Sequence, residues 1–165
     1  MNSLDKVYFL EDLIRSRMRV YSTVFENGMR IDKKYTCDGE DVSPPISWDP
    51  VSGAASYALI VEDPDAPMGT FVHWVIYNIR GTSLKEGDGS STSQAGVQGR
   101  NDFGRIGYGG PCPPRGHGTH RYFFRVYALK EDLPVKKGVT ASELRRMMQG
   151  KVLDQGEIYA TYSRS

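Results

Sequence analysis

Three histidines, His73, His117 and His120, fall in or beside the most unusual local sequences of the chain. One is Asp63-Pro64-Asp65-Ala66-Pro67, which shortly precedes His73; the other is Gly107-Tyr108-Gly109-Gly110-Pro111-Cys112-Pro113-Pro114-Arg115-Gly116, which shortly precedes His120. An imidazole can donate, accept or carry charge near neutral pH, and a carboxylate can orient it or meet an ammonium group. Glycines let backbone N–H groups come close to an anion, while prolines hold the surrounding turns without donating hydrogen bonds. The combination predicts a stiff oxyanion cradle, with an imidazolium at His73 or His120, suited to phosphate monoesters or diesters.

Each feature also has a plainer reading. His73 has Phe71, Val75 and Tyr77 as same-face neighbours on a strand, so taken alone it reads as a core histidine satisfied by one buried partner. Asp63 at one strand end and His120 at another change that, because strand ends beside long loops are where sheets place their sites. A metal is not expected, since no H-x-H or H-E-x-x-H spacing brings the histidines and aspartates together. A hydrolase would need a nucleophile elbow; there is no G-x-S-x-G, and Cys112 sits between prolines. Gly104, Gly107 and Gly109 imitate a dinucleotide loop, yet Pro111, Pro113 and Pro114 forbid the helix that must follow. Cys37 and Cys112 each lie at a turn and could meet, although buried free thiols are the commoner state in a cytoplasmic protein. Trp48 and Trp74 read as core or pocket-wall aromatics.

The elements that must position these groups are mainly strands. Runs rich in Val, Ile, Tyr, Phe and Thr, punctuated by Gly and Pro, predict strands at Arg19 to Phe25, Ser56 to Asp63, Phe71 to Ile79, His120 to Leu129 and Glu157 to Tyr162. In the fourth, His120, Tyr122, Phe124, Val126 and Ala128 share one face and Arg121, Phe123, Arg125, Tyr127 and Leu129 the other, so aromatics on both faces point to a central strand. Thr140-Ala141-Ser142-Glu143 is a capping box opening a helix to Gln149, with Gly150 as its stop. Ser3 to Met18 has apolar residues at helical spacing, with acids early and arginines late, and predicts a second helix. Between Gly81 and Gly118 there is almost no periodic pattern, and loops of that length in a compact domain are functional or disordered.

The chain has 165 residues, about one domain by length. A formal net charge of +1 offers nothing for a long phosphate backbone, so nucleic acid is excluded as a partner. No apolar run approaches the roughly 20 residues of a membrane span. Asp5, Lys6, Glu11, Asp12, Arg15, Arg17 and Arg19 interrupt any signal-peptide core, and two cysteines outside a C-x-x-C pair suggest a reducing compartment, so a cytoplasmic location is expected.

These motifs resemble the phosphatidylethanolamine-binding protein family, specifically its bacterial and archaeal branch: the Asp63–Pro67 motif, His73-Trp74, and the Tyr108–Gly116 loop closing on His120-Arg121-Tyr122. Lys34-Tyr35-Thr36-Cys37-Asp38-Gly39 through Trp48, and Asn101-Asp102-Phe103-Gly104, are similar to further signatures of that branch. The resemblance implies a mainly antiparallel β-sandwich with a few peripheral helices and a small anion pocket at one end. Carried over by position, the pocket residues are Asp63, His73, Gly110, Pro111, Cys112, Pro113, His120 and Tyr122. It further implies binding of phosphate-like anions or phosphoryl head groups, action as an inhibitor or regulator of proteases or kinases, and neither catalysis nor a cofactor. Residues 1–17 precede the usual family start, so the expected division is a helical extension at 1–17, which could cover an edge or build a homodimer, and a single domain at 18–165.

Overall fold

The computed structural model describes residues 18–165. Strands β1 (Val20–Tyr21), β2 (Ile46–Trp48), β3 (Ser56–Asp63), β4 (Phe71–Ile79), β5 (Ser83–Leu84), β6 (Val97–Gln98), β7 (His120–Leu129) and β8 (Val152–Tyr162), with helix α1 (Ala141–Met148) before β8, make up its regular structure. They form two antiparallel sheets, one ordered β6-β4-β3-β7-β8 and the other β1-β2-β5. No helix among the described residues is long and apolar enough to cross a membrane.

The larger sheet is covered on both faces. Tyr57, Leu59 and Val61 of β3 and Trp74 and Ile76 of β4 join Ile46, Trp48 and Leu84 of the smaller sheet in one core. Ala58, Ile60, Val75 and Tyr77 on the opposite face join Leu133, Val139, Leu144 and Met148 in a second core beneath α1. Buried on both sides, β3 therefore reads as a nearly continuous apolar run rather than an alternating one. As predicted, β7 lies between two neighbours, β3 and β8, with its His120-to-Ala128 face buried and most of the other half-exposed. Helix α1 starts where the capping box placed it: Glu143 N–H donates to the Thr140 hydroxyl at 3.2 Å.

Some expectations give way. The first strand is cut to two residues because Ser22 Oγ donates to Pro45 O at 2.7 Å and accepts from Val24 N–H at 3.2 Å, which turns the chain. The last begins at Val152, because its early residues pair with β7 as far as Leu129. Strands β2, β5 and β6 are too short to leave a periodic signature. The helix expected over Ser3 to Met18 lies outside the described residues except for Met18, which is buried and non-helical, its N–H bonded to Asp154 Oδ2 at 2.9 Å.

For the site, one irregularity matters most. In the β3–β4 ladder Val61 pairs with Trp74 and Glu62 with Val72, so His73 is the extra residue of a bulge. Val75 and Tyr77 face the α1 side, as alternation requires, but the bulge breaks the alternation at His73 and brings its ring beside Tyr122 of the sandwich side. The same-face grouping of His73 with Val75 and Tyr77 expected from the sequence is therefore corrected.

Candidate functional site

Three strand ends meet at one edge of the larger sheet: Asp63 closes β3, Phe71 and His73 open β4, and His120 and Tyr122 open β7. Between them lies a cavity of about 200 Å³ lined by Asp63, His73, Cys112, Pro113, His120 and Tyr122, with Ala66, Pro67, Phe71, Phe103 and Pro114 completing the wall. A larger hollow of about 380 Å³ lies elsewhere, beside Met18, Arg19, Arg125 and Glu157, where Arg125 and Glu157 pair with each other at 2.7 Å.

His73 and the proline-rich loop are bonded reciprocally. The His73 carbonyl, displaced by the bulge, accepts Gly109 N–H at 2.9 Å, and His73 Nδ1 donates to Gly109 O at 2.7 Å. A carbonyl can only accept, so Nδ1 carries the proton. Burial pushes the His73 pKa down, outweighing the Gly109 hydrogen bond and the nearby Asp63 charge that favour protonation. Neutral His73 then holds a lone pair at Nε2, which has no partner among the described residues. Phe71, Phe103 and Tyr122 pack around the ring at centroid distances of 5.0, 5.4 and 5.2 Å. Tyr122 is a buried residue of the cavity wall whose hydroxyl makes no hydrogen bond among the described residues, and desolvation followed by the Asp63 charge holds it protonated far above the usual tyrosine range.

Asp63, His120 and His117 form a linear relay. Buried Asp63 accepts from His120 Nδ1 at 2.6 Å through one oxygen and from Asp65 N–H at 2.7 Å through the other. His120 Nε2 lies 2.6 Å from Nδ1 of exposed His117, so a single proton joins the two rings. Asp63 is thus a positioning group, and the outer nitrogen of His120 is already taken. His117, singled out in the sequence but given no role there, is the residue that takes it; its signal was its place three positions before His120 in the same loop.

The glycine cradle does not form as expected. Gly107 N–H bonds to Gly99 O at 3.1 Å, Gly109 N–H to His73 O, and Gly110 N–H to Asp41 Oδ1 at 2.7 Å, so these amides stitch the loop to the protein. Gly110 is required for packing: a Cβ there would meet Tyr35 O at 2.2 Å. Pro111 is buried and its carbonyl accepts Cys37 N–H at 3.1 Å. Neither Gly110 nor Pro111 lines the cavity; the other six residues expected at the site do. Cys112 lines the cavity, and its N–H makes no hydrogen bond among the described residues.

Cys37 and Cys112 are joined in a disulfide, with Cα atoms 5.4 Å apart, the bridge the sequence left open beside the commoner free thiols. The physical reason is the Cys37–Pro111 backbone bond, which lays the two turns side by side. Trp48 and Trp74 are core residues, as expected. Among the described residues no group of three His, Cys, Asp or Glu side chains is arranged to hold a metal ion.

Residues 21–163 match the family model described as phosphatidylethanolamine-binding protein. A UPF0098 protein of Aquifex aeolicus is 51% identical over 152 residues, 89% of each chain. The solved structure of the phosphatidylethanolamine-binding protein homologue CT736 of Chlamydia trachomatis is 40% identical, with a TM-score of 0.83 over 91% of this chain and 99% of that one. Carboxypeptidase Y inhibitor, solved in complex with its cognate proteinase, shares the fold at 17% identity, with a TM-score of 0.53 over 98% of this chain and 93% of that one.

Proposed function

The chain belongs to the phosphatidylethanolamine-binding protein family, and from that premise we propose that its pocket binds a small phosphate-like anion or phosphoryl head group without turning it over, regulating a protein partner. The observation that carries this reading is the pair of buried side chains, His73 and Tyr122, each with a polar atom lacking a partner beside one small cavity. Unlike Trp48 Nε1 and Ser56 Oγ, which are sealed in the interior without a partner, these two atoms belong to cavity-lining side chains and are open to a ligand.

The chemistry selects the ligand's protonation state. No Lys or Arg lines the cavity. A protonated phosphoryl oxygen donates to His73 Nε2, Tyr122 O–H and Cys112 N–H donate to the remaining oxygens, and His120 Nε2 joins when His117 turns out to solvent. Affinity for phosphoethanolamine therefore rises as pH falls through the phosphate's second ionisation, about 6 for a phosphomonoester. Sulfate, which does not titrate there, serves as the control.

Isothermal titration with phosphate, phosphoethanolamine and a mononucleotide tests the proposal on the intact chain, Tyr122→Phe and His120→Ala. Binding that weakens several-fold in Tyr122→Phe and vanishes in His120→Ala supports it; no heat with any ligand overturns it. An ester panel yielding no turnover is expected of a binding protein.

A second reading, a protease or kinase inhibitor whose pocket is mainly structural, is supported by the fold shared with carboxypeptidase Y inhibitor. Met68, next to Pro67 of the wall, is 99% exposed, and Phe103 is 39% exposed, so the mouth offers apolar contacts. Unchanged protease and kinase rates at micromolar protein would count against it. We also propose residues 18–165 as the binding domain, residues 1–17 as an appendage that could build a homodimer, and a cytoplasmic location, the last decided by cell fractionation.

A further inference from the structure

The Cys37–Cys112 bridge is unevenly placed. Cys37 is exposed, whereas Cys112 is half-buried in the pocket wall. On the Cys112 side, Arg164 Nη1 lies 3.6 Å from the sulfur. That guanidinium is itself held, its Nε and Nη2 donating to Asp38 at 3.2 and 3.0 Å, while Tyr162 O–H donates to the same carboxylate at 2.6 Å. A thiolate arriving from solvent reaches the Cys37 sulfur, and the sulfur that must leave sits against a cation, the arrangement that favours exchange in that direction.

We propose that Cys37 is a site of thiol–disulfide exchange with low-molecular-weight thiols such as glutathione, and that exchange sets a Cys112 thiolate into the pocket wall, weakening anion binding there. The second half rests on the proposed anion pocket. Glutathione thiolate attacks Cys37 Sγ, a mixed disulfide forms, and the Cys37–Cys112 bond breaks with its electron pair leaving on Cys112. A second glutathione thiolate attacks the adduct, releasing oxidised glutathione and the Cys37 thiolate, so the bridge gains two electrons and two glutathiones lose them. A bridge that exchanges in this way also suits a thiol-rich compartment, where persistent disulfides are rare and redox-sensing ones occur.

The loop does not depend on the bridge alone. Cys37 N–H to Pro111 O, Gly109 N–H to His73 O, Gly110 N–H to Asp41 and Gly116 N–H to Arg164 O, the last at 2.9 Å, remain after reduction. The change felt by a ligand is therefore a new negative charge on the wall, worth on the order of tenfold in affinity at close range.

Two measurements decide it. After brief exposure to millimolar glutathione and alkylation of free thiols, peptide mass mapping should find the adduct on Cys37 and the alkyl group on Cys112, with both cysteines alkylated at longer times; an adduct on Cys112, or an intact bridge, overturns the exchange. Phosphate titrations of Cys37→Ser and Cys112→Ser separate charge from tether, since both lack the bridge and only the first leaves a thiol in the wall. Cys37→Ser should bind about tenfold more weakly than Cys112→Ser. Equal affinities in the two variants overturn the coupling. If the oxidised chain itself takes up no phosphate, the anion reading fails and the coupling with it, while the mapping still decides whether Cys37 exchanges.

Discussion

Glu62 and Asp63 are consecutive residues of β3, both buried, and they point to opposite faces of the same sheet. Glu62 faces α1 and is held by two arginines, Arg125 Nε at 3.0 Å and Arg145 Nη2, with Arg125 also reaching Glu157. Asp63 faces the cavity and is held by a histidine whose other nitrogen leads to a second histidine at the surface. Arginine does not titrate in a protein, so the Glu62 cluster is fixed and ties the helix to the sheet. The Asp63 relay instead ends in an exposed imidazole, which can turn away and leave His120 Nε2 to another partner. One residue of strand separates a fastening from a working part.

The largest expected difference is in stability. Glu62→Ala should lower unfolding free energy by about 2 kcal/mol, less than the ~3–5 typical of a fully buried pair because Arg125 and Arg145 can turn to water, and should leave phosphate affinity unchanged. Denaturant unfolding beside titration reads both. Asp63→Asn should do the reverse, weakening phosphate binding about tenfold, or about 1.4 kcal/mol, with a smaller loss of stability. If Asp63→Asn unfolds the chain as readily as Glu62→Ala and binds normally, the two carboxylates do not differ in the way described.

Acid sharpens the contrast next. His73 has a folded pKa below its unfolded 6.5, so the unfolded chain binds the extra proton first. The stability this contributes is complete above pH 6.5 and is lost as pH falls from 6.5 toward the folded value. Thermal unfolding should therefore drop below pH 6.5, before the carboxylates titrate, and His73→Gln should flatten that slope; an unchanged slope would place the proton uptake elsewhere. The smallest effect is expected at the far end of the relay. His117→Ala removes the competitor for His120 Nε2 and should raise phosphate affinity about two- to threefold, the scale of one net hydrogen bond. A loss of affinity would make His117 a ligand contact instead.

Much of this was legible in the sequence. The limits of β3, β4 and β7 followed from runs of strand-forming residues between glycines and prolines, and the alternation along β7 fixed which of its side chains are buried. Asp63 and His120 stood out because each ends a strand beside a turn. The bulge at His73 was not legible, since a register shift belongs to two strands together and leaves no mark on one of them. The fate of the loop amides was hidden for a similar reason: a glycine N–H looks equally available to an anion or to Asp41 until the chain is folded. The bridge depended on the approach of Cys37 to Pro111, a contact between segments far apart in sequence.

The order β6-β4-β3-β7-β8 also bears on how the chain reaches this state. β3 and β4 are joined by a short connection and can form a hairpin early, which brings Asp63 opposite Phe71. His120, 57 positions after Asp63, arrives only when β7 adds to the other side of β3, and that requires closing the long segment that follows β4. Such non-local pairing belongs with slow folding, in the range of milliseconds to seconds for topologies of this kind. The hairpin carries Asp63, Ala66, Pro67, Phe71 and His73 of the wall but neither His120 nor Tyr122, and a nascent chain halted before His120 holds only one half of the Asp63–His120 pair.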